Sequence, residues 1–233
     1  MDKGLRPLRD ILDSLSIEKV IRPQKSIEET DSPRQTPFGV SDPSHTFGNF
    51  NKVEGTKAAY QAFWNLATSP DTSPPFLLCY GPVGNGKSYL MEALAIELKK
   101  TISVRLWDWT EFLGFLKRMM DNQAESVDTI IERYQSDKGA LLLDDVGAEY
   151  GTDWEMTTLD RIISGRYRNK AITAMTTNRG LDEVDDRGRR CIPERVLSRF
   201  SDTIISRLVL NSGLDYREFD DMKRATQKTG GPS

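Results

Sequence analysis

Residues 75–88 read PFLLCYGPVGNGKS. The apolar run Phe76 to Tyr80 passes directly into a glycine-rich turn and then into Lys87 and Ser88. A short apolar run that stops at glycine is the pattern of a strand buried on both faces. Gly81-Pro82-Val83-Gly84-Asn85-Gly86-Lys87-Ser88 has phosphate-loop spacing between that strand and a helical pattern. Each part has a chemical reason. The glycines let the loop turn its N–H groups inward, and a helix starting near Gly86 adds its positive dipole end. Lys87 carries an ammonium suited to β- and γ-phosphates, and the Ser88 hydroxyl suits Mg²⁺. Residues 81–88, with Tyr89 next in line, form the expected nucleotide-binding set. A glycine turn without function accounts for neither the Lys-Ser pair nor the strand-turn-helix context.

Outward from this stretch, apolar runs alternate with helical patterns. Strands are predicted at Pro75–Tyr80, Val104–Trp107, Ala140–Asp144, Ile172–Thr176 and Thr203–Leu210. Helices are predicted at Gly55–Thr68, Lys87–Lys100, Thr110–Asp121, Ser126–Gln135, Trp154–Arg168 and Pro193–Phe200. Such alternation implies an α/β fold with a mostly parallel sheet covered by helices on both faces. Two further strand ends carry polar groups. Ala140-Leu-Leu-Leu-Asp-Asp-Val146 delivers Asp144 and Asp145 to a carboxyl-terminal sheet edge, where ligands of open α/β sheets sit. Asp144 is the expected Mg²⁺ partner through water, together with Ser88, and Asp145 the group that polarises an attacking water. Ile172 to Asn178 (ITAMTTN) places Asn178 where it can orient that water.

The ends of the chain read differently. Leu5, Leu8, Ile11, Leu12 and Leu15 share one face of a short amphipathic helix in residues 1–21. Residues 22–45 carry Pro23, Pro33, Pro37 and Pro43 among polar residues, the composition of a linker. The expected main domain covers residues 46–220, and the polar residues 221–233 form a tail. Across 233 residues the charged share is 29% but the net charge only -3, so no global basic field favours nucleic acid. Two distant cysteines exclude a zinc finger, and His45, the only histidine, leaves no histidine-built triad or metal site. His45 reads as a loop residue. With no apolar run of membrane length and no signal-peptide core, a cytoplasmic protein without membrane contact is expected.

These motifs resemble the AAA+ ATPases, in the branch of bacterial helicase loaders and transposition helper ATPases (the DnaC/IstB type). The matching segments are TFGNF at 46–50, GPVGNGKS at 81–88 and LLLDDVGAE at 141–149. They continue with LDRIISGRYRNK at 159–170, TTN at 176–178, ERVLSRF at 194–200 and DYR at 215–217. The resemblance implies a P-loop NTPase with a five-stranded parallel sheet between helices, using ATP and Mg²⁺. By motif it implies that Asn178 is a sensor of the γ-phosphate. Arg199 would be an arginine finger reaching a neighbouring subunit's nucleotide, and Arg217 a second sensor. A planar, permanently charged fork suits the charge spread over phosphoryl oxygens. Asp145 stands where many members carry Glu. The chain stops soon after the last strand, which implies a minimal or absent lid domain, and no cysteine-rich zinc domain precedes the core.

The implied function is that of a helicase loader in DNA replication, an ATPase assembled as a homo-oligomer in its ATP state. A replicative helicase and single-stranded DNA would be its partners. The alternatives are a transposition helper ATPase of the IstB type and a non-hydrolysing ATP-binding adaptor. A small-substrate kinase would leave TTN and ERVLSRF without roles. For DNA contact the candidates are Lys117 and Arg118, followed by Arg187, Arg189 and Arg190.

Overall fold

Five-residue apolar strands build the centre of the protein, in keeping with the alternating runs of the sequence. The computed structural model describes residues 39–122, 125–147, 151–184, 186–202 and 204–213. The expected amphipathic helix, most of the expected linker, Arg217 and the tail lie outside them. The strands are β1 (Phe76–Tyr80), β2 (Val104–Asp108), β3 (Ala140–Asp144), β4 (Thr173–Thr177) and β5 (Ser206–Leu210). The helices are α1 (Lys57–Thr68), α2 (Lys87–Leu98), α3 (Trp109–Asp121), α4 (Val127–Ser136), α5 (Asp153–Arg168) and α6 (Glu194–Phe200). The sheet is wholly parallel in the order β2-β3-β4-β1-β5.

Alternate residues of each strand feed opposite layers, as the period of two demands. Phe76, Leu78, Leu141, Leu143 and Met175 pack with α3, α4, α5 and α6. Leu77, Cys79, Leu142, Ala174 and Val209 pack with α1 and α2 on the other side. Burial on both faces explains why these strands read as continuous apolar runs. Cys79 and Cys191 are both buried free thiols, and burial pushes the Cys79 thiol up to about 12.

Helix starts follow local chemistry. Asp108 ends β2 and caps α3, its carboxylate accepting from Glu111 N at 3.0 Å. Ser126 caps α4, and Thr152 with Glu155 forms a reciprocal capping box at α5. The predicted first helix began at Gly55, but Gly55 holds φ 83°, a left-handed turn that delays α1 to Lys57. The expected linker also ends sooner than its composition suggests. Residues 41–45 are bonded to α2 through Glu92. Among the described residues no helix is long and apolar enough to cross a membrane.

Arg166 fastens the amino-terminal edge of the sheet. It is 1% exposed, and all five of its N–H groups are used. Nε donates to Thr173 Oγ1 at 2.8 Å. One terminal nitrogen donates to the carbonyls of Tyr134 and Asp137, the other to those of Gly139 and Ile172. Burial lowers its pKa to about 10, so it stays charged at neutral pH.

Candidate functional site

The central strands β1 and β4 end side by side at the carboxyl edge, where the chain's crossovers diverge and an open α/β sheet leaves a crevice. The loop after β1 enters α2 through Gly86, whose φ of 88° no β-branched or bulky residue would accept. Unlike α3, α4 and α5, α2 has no side-chain cap and no acid in its first turn. Its first N–H groups and positive dipole end are therefore available to an anion. Lys87 folds back over the loop, donating to Gly81 O (3.0 Å), Pro82 O (2.7 Å) and Asn85 Oδ1 (3.1 Å). Burial depresses its pKa, since a desolvated ammonium is penalised until an anion arrives.

The loop is held from the neighbouring edge strand, β5. Buried Asn211, just after β5, donates through Nδ2 to Asn85 O at 3.1 Å, and Asn85 Nδ2 donates back to Asn211 O. A Cβ on Gly81 would fall 2.0 Å from Asn211 O, so only glycine admits this approach. No sequence signal pointed to Asn211, 126 residues from its partner.

Across the crevice, β3 and β4 supply the polar ends that the sequence predicted. Thr176 ties them together: its hydroxyl donates to Asp144 Oδ1 and accepts from Asp145 N at 3.0 Å. Ser88 lies near enough to Asp144 to counter the rise of its pKa, which brings the two expected Mg²⁺ partners together. Asn178 Nδ2 donates to Asp145 Oδ1 at 2.5 Å. Asp145 itself has φ 54°, a left-handed conformation that aspartate tolerates better than most residues. Burial raises the pKa of both carboxyls, and Asp108, paired in register with Asp144, adds a like charge. Hard oxygen donors on one serine and one carboxylate fit Mg²⁺ held jointly with phosphates. Among the described residues no cluster of three or more His, Cys, Asp or Glu could cage a metal.

Beside the loop lies a cavity of about 400 Å³. Val83, Gly84, Gly86, Lys87, Ser88, Tyr89 and Asn178 form one part of its lining, and Asn49, Phe50 and Asn51 the other. Gly81, Pro82 and Asn85 support the loop from behind, through their bonds to Lys87. Phe50 belonged to the TFGNF segment, but its place in the wall could not be read from spacing.

Arg199 does not join this group. Its carbonyl accepts from Ser206 Oγ at 2.5 Å, and Ser206 pairs with Phe76 at the amino-terminal start of β1. A strand length, roughly 15 Å, thus separates it from the loop beyond Tyr80. Its guanidinium lies over the Tyr167 ring at 5.0 Å, and Nε is enclosed without a hydrogen-bond partner. Of the DNA-contact candidates, Lys117 is bonded to Glu155 at 2.9 Å and Arg190 to Leu181 O at 2.9 Å.

A model of the bacterial DnaA ATPase domain matches residues 41–188, well over half of the chain. The chain belongs to the bacterial DnaA ATPase domain family. The chromosomal replication initiator DnaA of Limosilactobacillus fermentum is 27% identical over 180 residues, covering 77% of this chain and 38% of the initiator. The chain therefore spans about two-fifths of that relative's length. A replication initiator DnaA bound to AMPPCP and single-stranded DNA superposes with a TM-score of 0.64. It is 23% identical, with 80% of this chain and 56% of that one covered. The DnaC helicase loader follows at TM-score 0.58 and 24% identity, covering 72% of this chain and 97% of the loader chain. Both share the α/β fold with its five-stranded parallel sheet. The AAA+ resemblance thus stands, with the DnaA ATPase domain as its family and the loaders as relatives in fold.

Proposed function

We propose that the protein is a Mg²⁺-dependent ATPase of DNA replication that uses ATP as an assembly and release switch while delivering a replicative helicase to single-stranded DNA. The observation that carries the chemistry is the junction of β3 and β4, where Thr176 and Asn178 hold Asp144 and Asp145 beside Lys87 and Ser88. Lys87 exchanges its loop acceptors for β- and γ-phosphate oxygens. Ser88, and Asp144 through water, would hold Mg²⁺, which when bound would supply charge to neutralise the phosphates. Asp145 accepts a proton from, and orients, the attacking water, and Asn178 fixes that carboxylate through its amide. Arg199 sits away from its own phosphate loop, on a side available to a second copy, and serves that copy's nucleotide. Arg217 would complete the site as the second sensor. The initiator bound to AMPPCP and single-stranded DNA supports ATP as ligand and DNA as partner, and the DnaC loader supports helicase delivery. Residues 1–21 are the proposed helicase contact.

The test is a mixing experiment. Lys87→Ala removes nucleotide binding, and Arg199→Ala binds ATP yet fails to hydrolyse it. Together the two variants regain part of the wild-type turnover, since each supplies what the other lacks at a shared interface. Specific activity should rise with protein concentration. A concentration-independent rate that Arg199→Ala leaves untouched defeats both the finger and the oligomer. Co-purification with a hexameric helicase supports loading, whereas filaments on duplex DNA would favour a transposition helper.

A further inference from the structure

We infer that Glu92 and His45 are positioning residues for the base end of the nucleotide site, holding in place the wall that meets the base. This rests on reading the cavity beside the phosphate loop as a nucleotide site. Neither residue lines that cavity. Their effect runs through the chain segment that does.

Lys87 and Ser88 occupy the first turn of α2, and Tyr89 and Glu92 follow, three residues apart on one face of the same helix. Glu92 is only 6% exposed, which for a carboxylate is costly unless donors surround it. Four donors do. Ser41 donates through N (3.1 Å) and Oγ (2.7 Å), Asp42 through N (3.4 Å), and His45 is bonded through Nδ1 at 2.9 Å. Tyr89 adds a second fastening. Its hydroxyl lies 3.2 Å from both Ser44 O and Thr46 O, and its ring centroid is 4.3 Å from that of His45.

The segment pinned in this way is the one that builds the cavity wall. Asn49 Nδ2 donates to Ser44 O at 2.9 Å, which carries the anchoring forward to Asn49, Phe50 and Asn51. The Phe50 ring then rests against Tyr89 at 5.4 Å and Tyr60 at 5.8 Å. One helix therefore organises both halves of the ligand. Its first turn meets the phosphates directly, and its second turn, through Glu92, fixes the wall that meets the base. A wall held in advance spares the ordering cost that binding would otherwise meet. The phosphate half does not pass through Glu92 at all.

This division gives a readout that general stability does not move. Binding of ATP, GTP and inorganic tripolyphosphate is measured on the full chain by calorimetry, with thermal melts as a control for folding. Wild type should bind ATP and GTP more tightly than tripolyphosphate. Glu92→Ala should weaken both nucleotides about tenfold, while tripolyphosphate stays within about twofold. Glu92→Gln, which keeps the shape but loses the charge, should fall between. His45→Ala removes one of the four donors and should shift ATP in the same direction by less, which serves if Glu92→Ala does not fold. An unchanged ratio of ATP to tripolyphosphate affinity in folded variants overturns the inference, as does an equal loss for all three ligands. If wild type itself shows no advantage of ATP over tripolyphosphate, the base-site reading of the cavity fails, and the inference falls with it.

Discussion

The two edges of the sheet are built by opposite rules. At the amino-terminal edge Arg166 is buried and every one of its donors meets an acceptor of α4, β3, β4 or the loops before them. At the carboxyl-terminal edge the same strands end in groups that the fold leaves electrically uncomfortable. Burial raises the pKa of Asp144 and Asp145, depresses that of Lys87, and accompanies a left-handed backbone at Asp145. A charge placed for stability is saturated with partners, whereas charges placed for chemistry await one. Removing a buried charge should therefore change stability with opposite signs at the two edges.

The largest effect is expected at Arg166. Arg166→Ala takes the donor from the carbonyls of Tyr134, Asp137, Gly139 and Ile172, and should cost about 4 kcal/mol. Urea unfolding measures it. Arg166→Lys keeps the charge but has three donors instead of a five-donor planar fork, and should recover less than half of that loss. Wild-type stability in Arg166→Ala would mean that the edge is held by strand pairing alone.

That residue also marks the limit of sequence reading. The strands and helices were legible because apolar period and length are local. Ala140–Asp144 is found with its predicted bounds, and β5 begins later than its apolar run because the residues before it form a turn, closed by Ser206 N donating to Asp202 O. The phosphate loop, Asp144, Asp145 and Asn178 were legible because each stands at or directly after the end of a strand. Arg166, Asn211 and Glu92 were not. Each works through partners distant in the sequence, and an interior arginine or glutamate reads like any solvated helix residue until the fold supplies its neighbours. For Arg199 the sequence order already put its helix before the last strand and away from its own loop, and the pairing of Ser206 with Phe76 agrees with that distance.

An intermediate effect should appear where the loop is fastened to β5. Asn211→Ala deletes the bond to Asn85 O inside a buried site and should cost about 1–2 kcal/mol. The Asn85 carbonyl is left without that donor, and the loop that presents Lys87 loses its outer support. Nucleotide affinity should fall with stability here, which distinguishes Asn211 from Arg166, whose removal affects folding without aiming at the loop. Titration of a fluorescent ATP analogue alongside urea unfolding separates the two. Full affinity in a destabilised Asn211→Ala would show that the loop keeps its shape without β5.

The smallest effect, and the one with the opposite sign, belongs to Asp145. Its folded pKa lies above 3.8, chiefly through burial and then the nearby Asp108 charge. The folded protein therefore binds more protons than the unfolded chain between 3.8 and that raised value, and stability falls as pH rises through this window. Above it, the ionised Asp145 is a fixed cost. Asp145→Asn removes the cost while retaining the oxygen that accepts from Asn178 Nδ2 and the backbone bond from Asp145 N to Thr176 Oγ1. The gain should stay below about 1 kcal/mol, because Asp145 is partly exposed and solvent screens it. In Tm this is at most about 2–4 °C near neutral pH. At pH values below 3.8 wild type is protonated in both states, so the difference should vanish. ATP binding should persist while hydrolysis drops by about a hundredfold or more, since the amide cannot take the proton from water. A variant less stable than wild type at neutral pH would show that the carboxylate is held there for the fold after all, and the contrast between the two edges would collapse.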